Sequence, residues 1–386
     1  MKYKYSLLVI LISGFVFLST GCSNNEEIDG LPETKTKTVS LTVDLGKMST
    51  KSVGGSASSA VPEVKDLILY FHDGMRILSV QNFPISGILE NPAVGTFTIP
   101  AESTGIYAVG NAKSLPGSVD LPASIITDPQ TGTTLAEVKS SLLQIGVQSD
   151  ARTAINLTGE ASIDGVAPNL TANIELVAAV ARIEIKEIRS DANIGNISIP
   201  MTSFRVTGIY INNTYSEYSL DGRKGGYEVN FGFEDPVWSD SGNADAVYPE
   251  AFKDENSRGL SGTGTVHVPS GQDNSVWGYF VPATTSQAGT IIDKVQYDAV
   301  PHIILKLEGV ESESSGYNNP QYVTIRGFRT LSGEKITHFE AGNYYLLKSI
   351  NIGAEHLSSY PERPNEKGEI YVTVKKWDEI EVTPEL

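Results

Sequence analysis

The chain has 386 residues, with 46 acidic against 29 basic side chains and a formal net charge of −17. An acidic surface repels phosphate backbones, which argues against a nucleic-acid partner. With 40% hydrophobic residues the chain can build ordinary cores, so global disorder is excluded, and the length suits two domains.

At the N-terminus Lys2 and Lys4 precede an apolar run, Leu7–Leu18, which is too short for a membrane span and reads as a secretion signal. Ser19, Thr20 and Gly21 then lead to Cys22, and small residues immediately before a cysteine resemble a bacterial lipobox. That resemblance implies a signal peptide over residues 1–21 and lipid on Cys22; a plain signal peptide with an incidental cysteine is the other reading. Cys22 is the only cysteine, so no internal disulfide and no cysteine metal site is expected. Residues 22–37 are polar and read as a spacer.

The next stretch, residues 38–51, opens as a strand. Val39, Leu41, Val43 and Leu45 point one way, and Ser40, Thr42 and Asp44 the other. Beyond Lys51 the composition turns to Ser, Gly and Ala, that of a flexible linker. The apolar run Val64–Phe71 stops at Asp73-Gly74, a strand-and-turn signature, and further short strands follow through Ile106–Ala112. Between Thr133 and Ile145 the pattern predicts a helix. Thr134 can cap it with Glu137 three residues on, and Leu135, Val138, Leu142 and Ile145 share a face.

A fresh strand run begins near Ile174, so the join between two modules is placed at 172/173, giving domains over 52–172 and 173–386. Residues 203–220 read as two strands about an Asn212-Asn213 turn. In the last segment Ile370, Val372, Val374, Ile380 and Val382 fall on one face at period two, with Tyr371, Thr373 and Trp377 on the other. Ile370–Trp377 reads as a permanent edge strand and Glu379–Leu386 as a mobile extension. Many short strands between Gly, Pro and Asn turns make the fold all-β, a pair of sandwiches with few short helices.

No enzymatic constellation emerges. His72, His267, His302, His338 and His356 are dispersed, with no His-x-x-x-His pair for zinc, and neither a Gly-x-Ser-x-Gly elbow nor a Gly-Lys-Ser/Thr phosphate loop is present. The glycines of Gly259–Gly271 read as loop, and the acidic stretch around Asp240 and Asp245 lacks the closing glutamate of a calcium loop. Trp238 and Trp277 can stack on a sugar or pack a core. No metal or cofactor is called for.

Taken in order, several stretches resemble the Bacteroidales fimbrillins, subunits of type V pili. They are the lipobox, the alternating strand with Lys51 before a Gly/Ser linker, and Val64–Gly74. Ile106–Leu115 is similar to the family's aromatic-to-Ala-Asn strand end, and Ile155–Ile163 to a strand in which Leu157 stands where Met is usual. Glu175–Ile185, with Ala181-Arg182 at its heart, resembles the opening of the second domain. Ala341–Gly353 and Gly368–Val382 resemble the C-terminal strands.

This resemblance implies two tandem transthyretin-like β-sandwiches with Greek-key-type strands. It implies an outer-membrane lipoprotein precursor whose strand 38–51 is removed by a trypsin-like protease cutting between Lys51 and Ser52. It further implies that the vacated groove accepts a strand from another subunit, and the segment carrying Ile370, Val372, Val374, Ile380 and Val382 is the candidate donor. The partners are then other pilus subunits, the outer membrane and the processing protease, and the mature form belongs to an extracellular fimbrium that contributes to adhesion. The alternative function is a monomeric surface lipoprotein that binds glycan or a host ligand through sandwich loops.

Overall fold

The computed structural model describes residues 35–45, 63–113, 133–147, 155–192, 197–221, 224–238, 248–255, 266–268, 276–283, 291–292, 295–296, 300–313, 315–330, 332–363, 371–373 and 375–376. Met1–Lys35 is a unit separate from Thr36–Leu386, and all that follows concerns the latter. The described residues are nearly all β, as the alternation predicts. Among them no helix is long and apolar enough to cross a membrane.

The early strands are β1 (Thr36–Leu45), β2 (Leu67–His72), β3 (Ile77–Asn82), β4 (Ala93–Pro100) and β5 (Gly105–Gly110). After a short helix, α1 (Leu135–Lys139), come β6 (Leu142–Gln144), β7 (Leu157–Ser162), β8 (Asp164–Val166) and β9 (Asn169–Ala178). All but β6 join one sheet in the order β3-β2-β5-β7-β9-β1-β4, with β8 also paired to β9. Every residue of β2 and β5 is buried, whereas β1, β4 and β9 alternate between a buried and an exposed face. Sequence neighbours are therefore not always sheet neighbours, and β1 in particular closes against β9 from far along the chain.

The expected helix is shorter than its pattern. Thr134 does cap it, with its hydroxyl accepting from the Glu137 amide and the Glu137 carboxylate accepting from the Thr134 amide. The helix ends at Lys139, where the Ser140 and Ser141 hydroxyls both donate back to the Glu137 carbonyl. Leu142 and Ile145 consequently lie beyond the helix, and residues 142–144 pair as strand β6. Ser side chains that bond the preceding turn offer the backbone an alternative to the helical ladder.

The chain changes sheets at Ala179. β10 (Val180–Ile185) is antiparallel to Trp277–Pro282 and parallel to Tyr344–Leu347. That is the environment of β1, which is antiparallel to β4 and parallel to β9. The join expected at 172/173 thus falls inside β9, whose pairing with β1 keeps residues 173–176 in the first sheet. Arg182, at the centre of the motif in β10, lies 4.6 Å from the Phe280 ring centroid and bonds Glu184 at 2.9 Å. A Cβ on Gly278 would sit 2.0 Å from this guanidinium, so the facing strand carries glycine where the arginine crosses it.

β11 (Ile188–Arg189) extends this line between Val266–His267 and Ile350–Asn351. β12 (Met201–Asn212) pairs with His302–Ser312, and β13 (Thr214–Ser219) pairs with β14 (Lys224–Val229) and with β6. The Asn212-Asn213 stretch is therefore no hairpin, because its two strands enter different sheets. Asn213 takes φ +51°, a conformation that asparagine tolerates, and the chain turns a corner there. Asn212 is held by the Phe231 backbone on both sides of its carboxamide, and Asn213 donates to the Val300 carbonyl at 2.6 Å.

Candidate functional site: the slot filled by the first strand

β1 is an interior strand with two rims. On one side Thr36–Val43 pairs antiparallel with β4, from Thr36↔Pro100 to Val43↔Ala93. On the other, Val39–Leu45 runs parallel to Leu170–Leu176 of β9. Val39, Leu41 and Val43 have no exposed surface, and Leu45 packs half-buried at the end of the row. The strand begins at Thr36, before the expected residue 38, because Thr36 and Lys37 already pair with Pro100 and Ile99. Burial of the three inner side chains contributes about 5–9 kcal/mol at roughly 1.5–3 kcal/mol each, an upper bound before any ladder hydrogen bond.

The strand beside β1 carries an aromatic cluster. Phe97, the register partner of Val39, packs on Phe71 and Phe83 at ring-centroid distances of 5.9 and 5.7 Å. Gly95, opposite Leu41, leaves room for those rings; a Cβ there would come within 2.9 Å of Phe97 and 3.0 Å of Phe83.

Both ends of the strand are fastened. Lys37 Nζ donates to the Ser103 carbonyl at 2.5 Å, and the Leu45 amide donates to Asn91 Oδ1 at 3.0 Å. Beyond residues 46–62 the chain is tied down at once. Asn111 Nδ2 donates to the carbonyls of Glu63 (2.7 Å) and Ile155 (2.8 Å), while its Oδ1 accepts from the Lys65 amide at 2.9 Å. Asn111 does this from φ +59° and is almost fully buried. Asn156 Nδ2 donates in turn to the Asn111 carbonyl, and Tyr218 of β13 donates to Asn156 Oδ1.

Of the other expected site residues, Cys22, Lys51, Ser52, Ile370, Val374, Ile380 and Val382 lie outside the described residues. Val372 falls in the strand Tyr371–Thr373, which runs parallel to Gly327–Arg329 with Val372 opposite Phe328. Lys375–Lys376 pairs antiparallel with Tyr345 and Leu346. Trp277 is 1% exposed and stacks on His267, so it has no face for a sugar. Trp238 sits among Tyr210, Phe231, Tyr248 and Tyr322 and donates its Nε1 proton to the Gly232 carbonyl at 2.8 Å.

One buried polar cluster escapes notice in the sequence because its members are far apart. Glu362 accepts from His302 Nδ1 (2.7 Å), Asn212 Nδ2 (3.1 Å) and Arg326 Nε (3.1 Å), and its own amide donates to Thr324 Oγ1. Burial pushes the Glu362 carboxyl upward, but His302, Arg326 and Asn212 together outweigh it and hold the group below its ordinary range. Glu362, His302 and Asn212 have no exposed surface and Arg326 is only slightly exposed, so the mutually bonded cluster is a structural knot.

No protein-family model and no curated protein matches the chain. Among solved structures, a "putative cell adhesion protein" from Parabacteroides distasonis aligns at TM-score 0.55 and 14% identity, covering 88% of this chain and 97% of that one. A second "putative cell adhesion protein" from the same species aligns at TM-score 0.52 and 12% identity, covering 89% and 98%. This chain shares their fold. A fimbrilin from Porphyromonas gingivalis also aligns, at TM-score 0.49 and 10% identity over 88% of this chain and 96% of that one.

Proposed function

We propose that this chain is a structural subunit of a cell-surface fimbrium, polymerised by exchange of its first strand. The observation that carries the reading is the position of β1, an interior strand paired on both sides whose covalent path to the rest of its sheet runs through residues 46–62. Its removal would open an apolar trough between two edges, a template for strand addition. The two "putative cell adhesion proteins" that share the fold support a cell-surface role.

In this scheme Cys22 carries the lipid of an outer-membrane precursor, and a trypsin-like protease cuts between Lys51 and Ser52. While the connection is intact, β1 competes for its own slot at an effective concentration of roughly mM or more, which no dilute strand matches. The cut abolishes that advantage, and the C-terminal segment of another subunit takes the slot. The change of sheet at Ala179 marks the passage from one sandwich module to the next. The role is structural, with no catalytic step.

The test is to treat the purified full-length protein with a trypsin-type protease, sequence the new N-terminus and look for SDS-stable ladders. A new terminus at Ser52 with ladder formation is expected. A chain that is cut elsewhere, or cut at Ser52 without ever forming ladders, overturns the reading.

A further inference from the structure

The two ends of β1 are held by different kinds of contact. At its start the Lys37 ammonium reaches the Ser103 carbonyl, a contact that exists only because β1 carries lysine there. At its end the contact is to main chain. The antiparallel register with β4 stops at Val43↔Ala93. Two positions beyond the last pair, the Asn91 carboxamide oxygen accepts the Leu45 amide at 3.0 Å. A side chain thus accepts a β1 amide that lies beyond the last paired residue.

We propose that Asn91 clamps the main chain of whichever strand fills the slot, resident or replacement, and is a positioning residue for strand exchange. An acceptor aimed at a backbone amide reads no side chain, so every non-proline residue at that point supplies the same donor. The Lys37 contact, by contrast, is private to β1. The resident strand is held by both contacts, and a replacement without lysine at the equivalent place inherits only the Asn91 clamp. This inference rests on the strand-exchange reading of the slot.

The experiment uses the full chain with a site-specific protease sequence substituted for residues 54–60, so that a cut leaves β1 bound without a covalent link. Three labelled peptides are exchanged into the cut protein. They are residues 35–47, the same peptide N-methylated at the Leu45 amide, and residues 369–386. Each is released from the native slot and from that of Asn91→Ala and Asn91→Asp. Release of the first and third peptides from Asn91→Ala should quicken by roughly 2- to 12-fold, the range for one net hydrogen bond. Asn91→Asp, which keeps an acceptor, should release them at nearly the native rate. N-methylation should quicken release from the native slot and add nothing in Asn91→Ala, as a closed double-mutant cycle requires. Equal release from native and Asn91→Ala slots, or an N-methyl effect that persists in Asn91→Ala, overturns the clamp.

Amide hydrogen exchange at Leu45 in the uncut chain separates the two ideas. Protection lost in Asn91→Ala and kept in Asn91→Asp supports the clamp even if no peptide ever enters, in which case the exchange reading alone fails. Equal protection in all three proteins overturns the clamp whatever the peptides do.

Discussion

Asn111 shows how one side chain fixes a whole entry point. It satisfies two carbonyls and one amide from segments 44 to 48 residues away, and it does so from a left-handed backbone conformation. Asn111→Ala should cost about 3 kcal/mol, combining unsatisfied buried groups with strain at positive φ. Asn111→Gly should recover the strain component only, and urea denaturation of the three proteins measures both. Glu362 makes a prediction about acid. Its carboxyl is held below its ordinary value of 4.5 in the fold, so its contribution to stability is complete above that value and is lost as pH falls through the folded one. Glu362→Gln should therefore be less stable at neutral pH and lose stability less steeply between pH 5 and pH 3. Urea midpoints across that range check it; parallel curves for the two proteins would contradict it.

At the scale of elements, β1 depends on the three side chains that it buries. Leu41→Ala should destabilise the first sheet by about 3 kcal/mol, as a large-to-small change at a site with no exposed surface. Hydrogen exchange of β4 and β9 should report the loss locally. This strand was legible in advance, since alternation over Val39–Leu45 needs only period two. The cap at Thr134 was legible for the same reason, being a local pattern of four residues. The helix length was not, because Leu142 and Ile145 fit the helical face equally well and only the pairing of β6 with β13 decides otherwise. Nor was the corner at Asn212-Asn213, where the sequence shows a turn but not which sheets the flanking strands enter. Asn91 and Glu362 were invisible, since each acts on residues far away along the chain.

The described residues of Thr36–Leu386 are knit together by contacts between early and late parts of the chain. β6 joins the sheet of β13 and β14, the Tyr107 hydroxyl donates to the Leu220 carbonyl, and Tyr218 donates to Asn156. Calorimetry of the wild type should therefore show one transition, and Leu143→Asp, which places a charge at a fully buried position of β6, should split it into two. Two transitions in the wild type would refute the coupling. Under the proposed function, truncation before Glu379 should leave a folded monomer that no longer grows; wild-type yields of polymer from the truncated chain would sink the donor assignment.

The slot also has a direction. Its rims are unlike, one antiparallel to the occupant and one parallel, so a strand that reproduces both pairings enters with a single polarity. A row of subunits joined in this way is a head-to-tail contact of the kind that propagates instead of closing on itself. Under the proposed function every copy would point the same way, and the two tips of the filament would be chemically different, one with a vacant trough and the other with an unused tail. Growth and termination then have separate addresses, and a molecule that caps one tip has no purchase on the other.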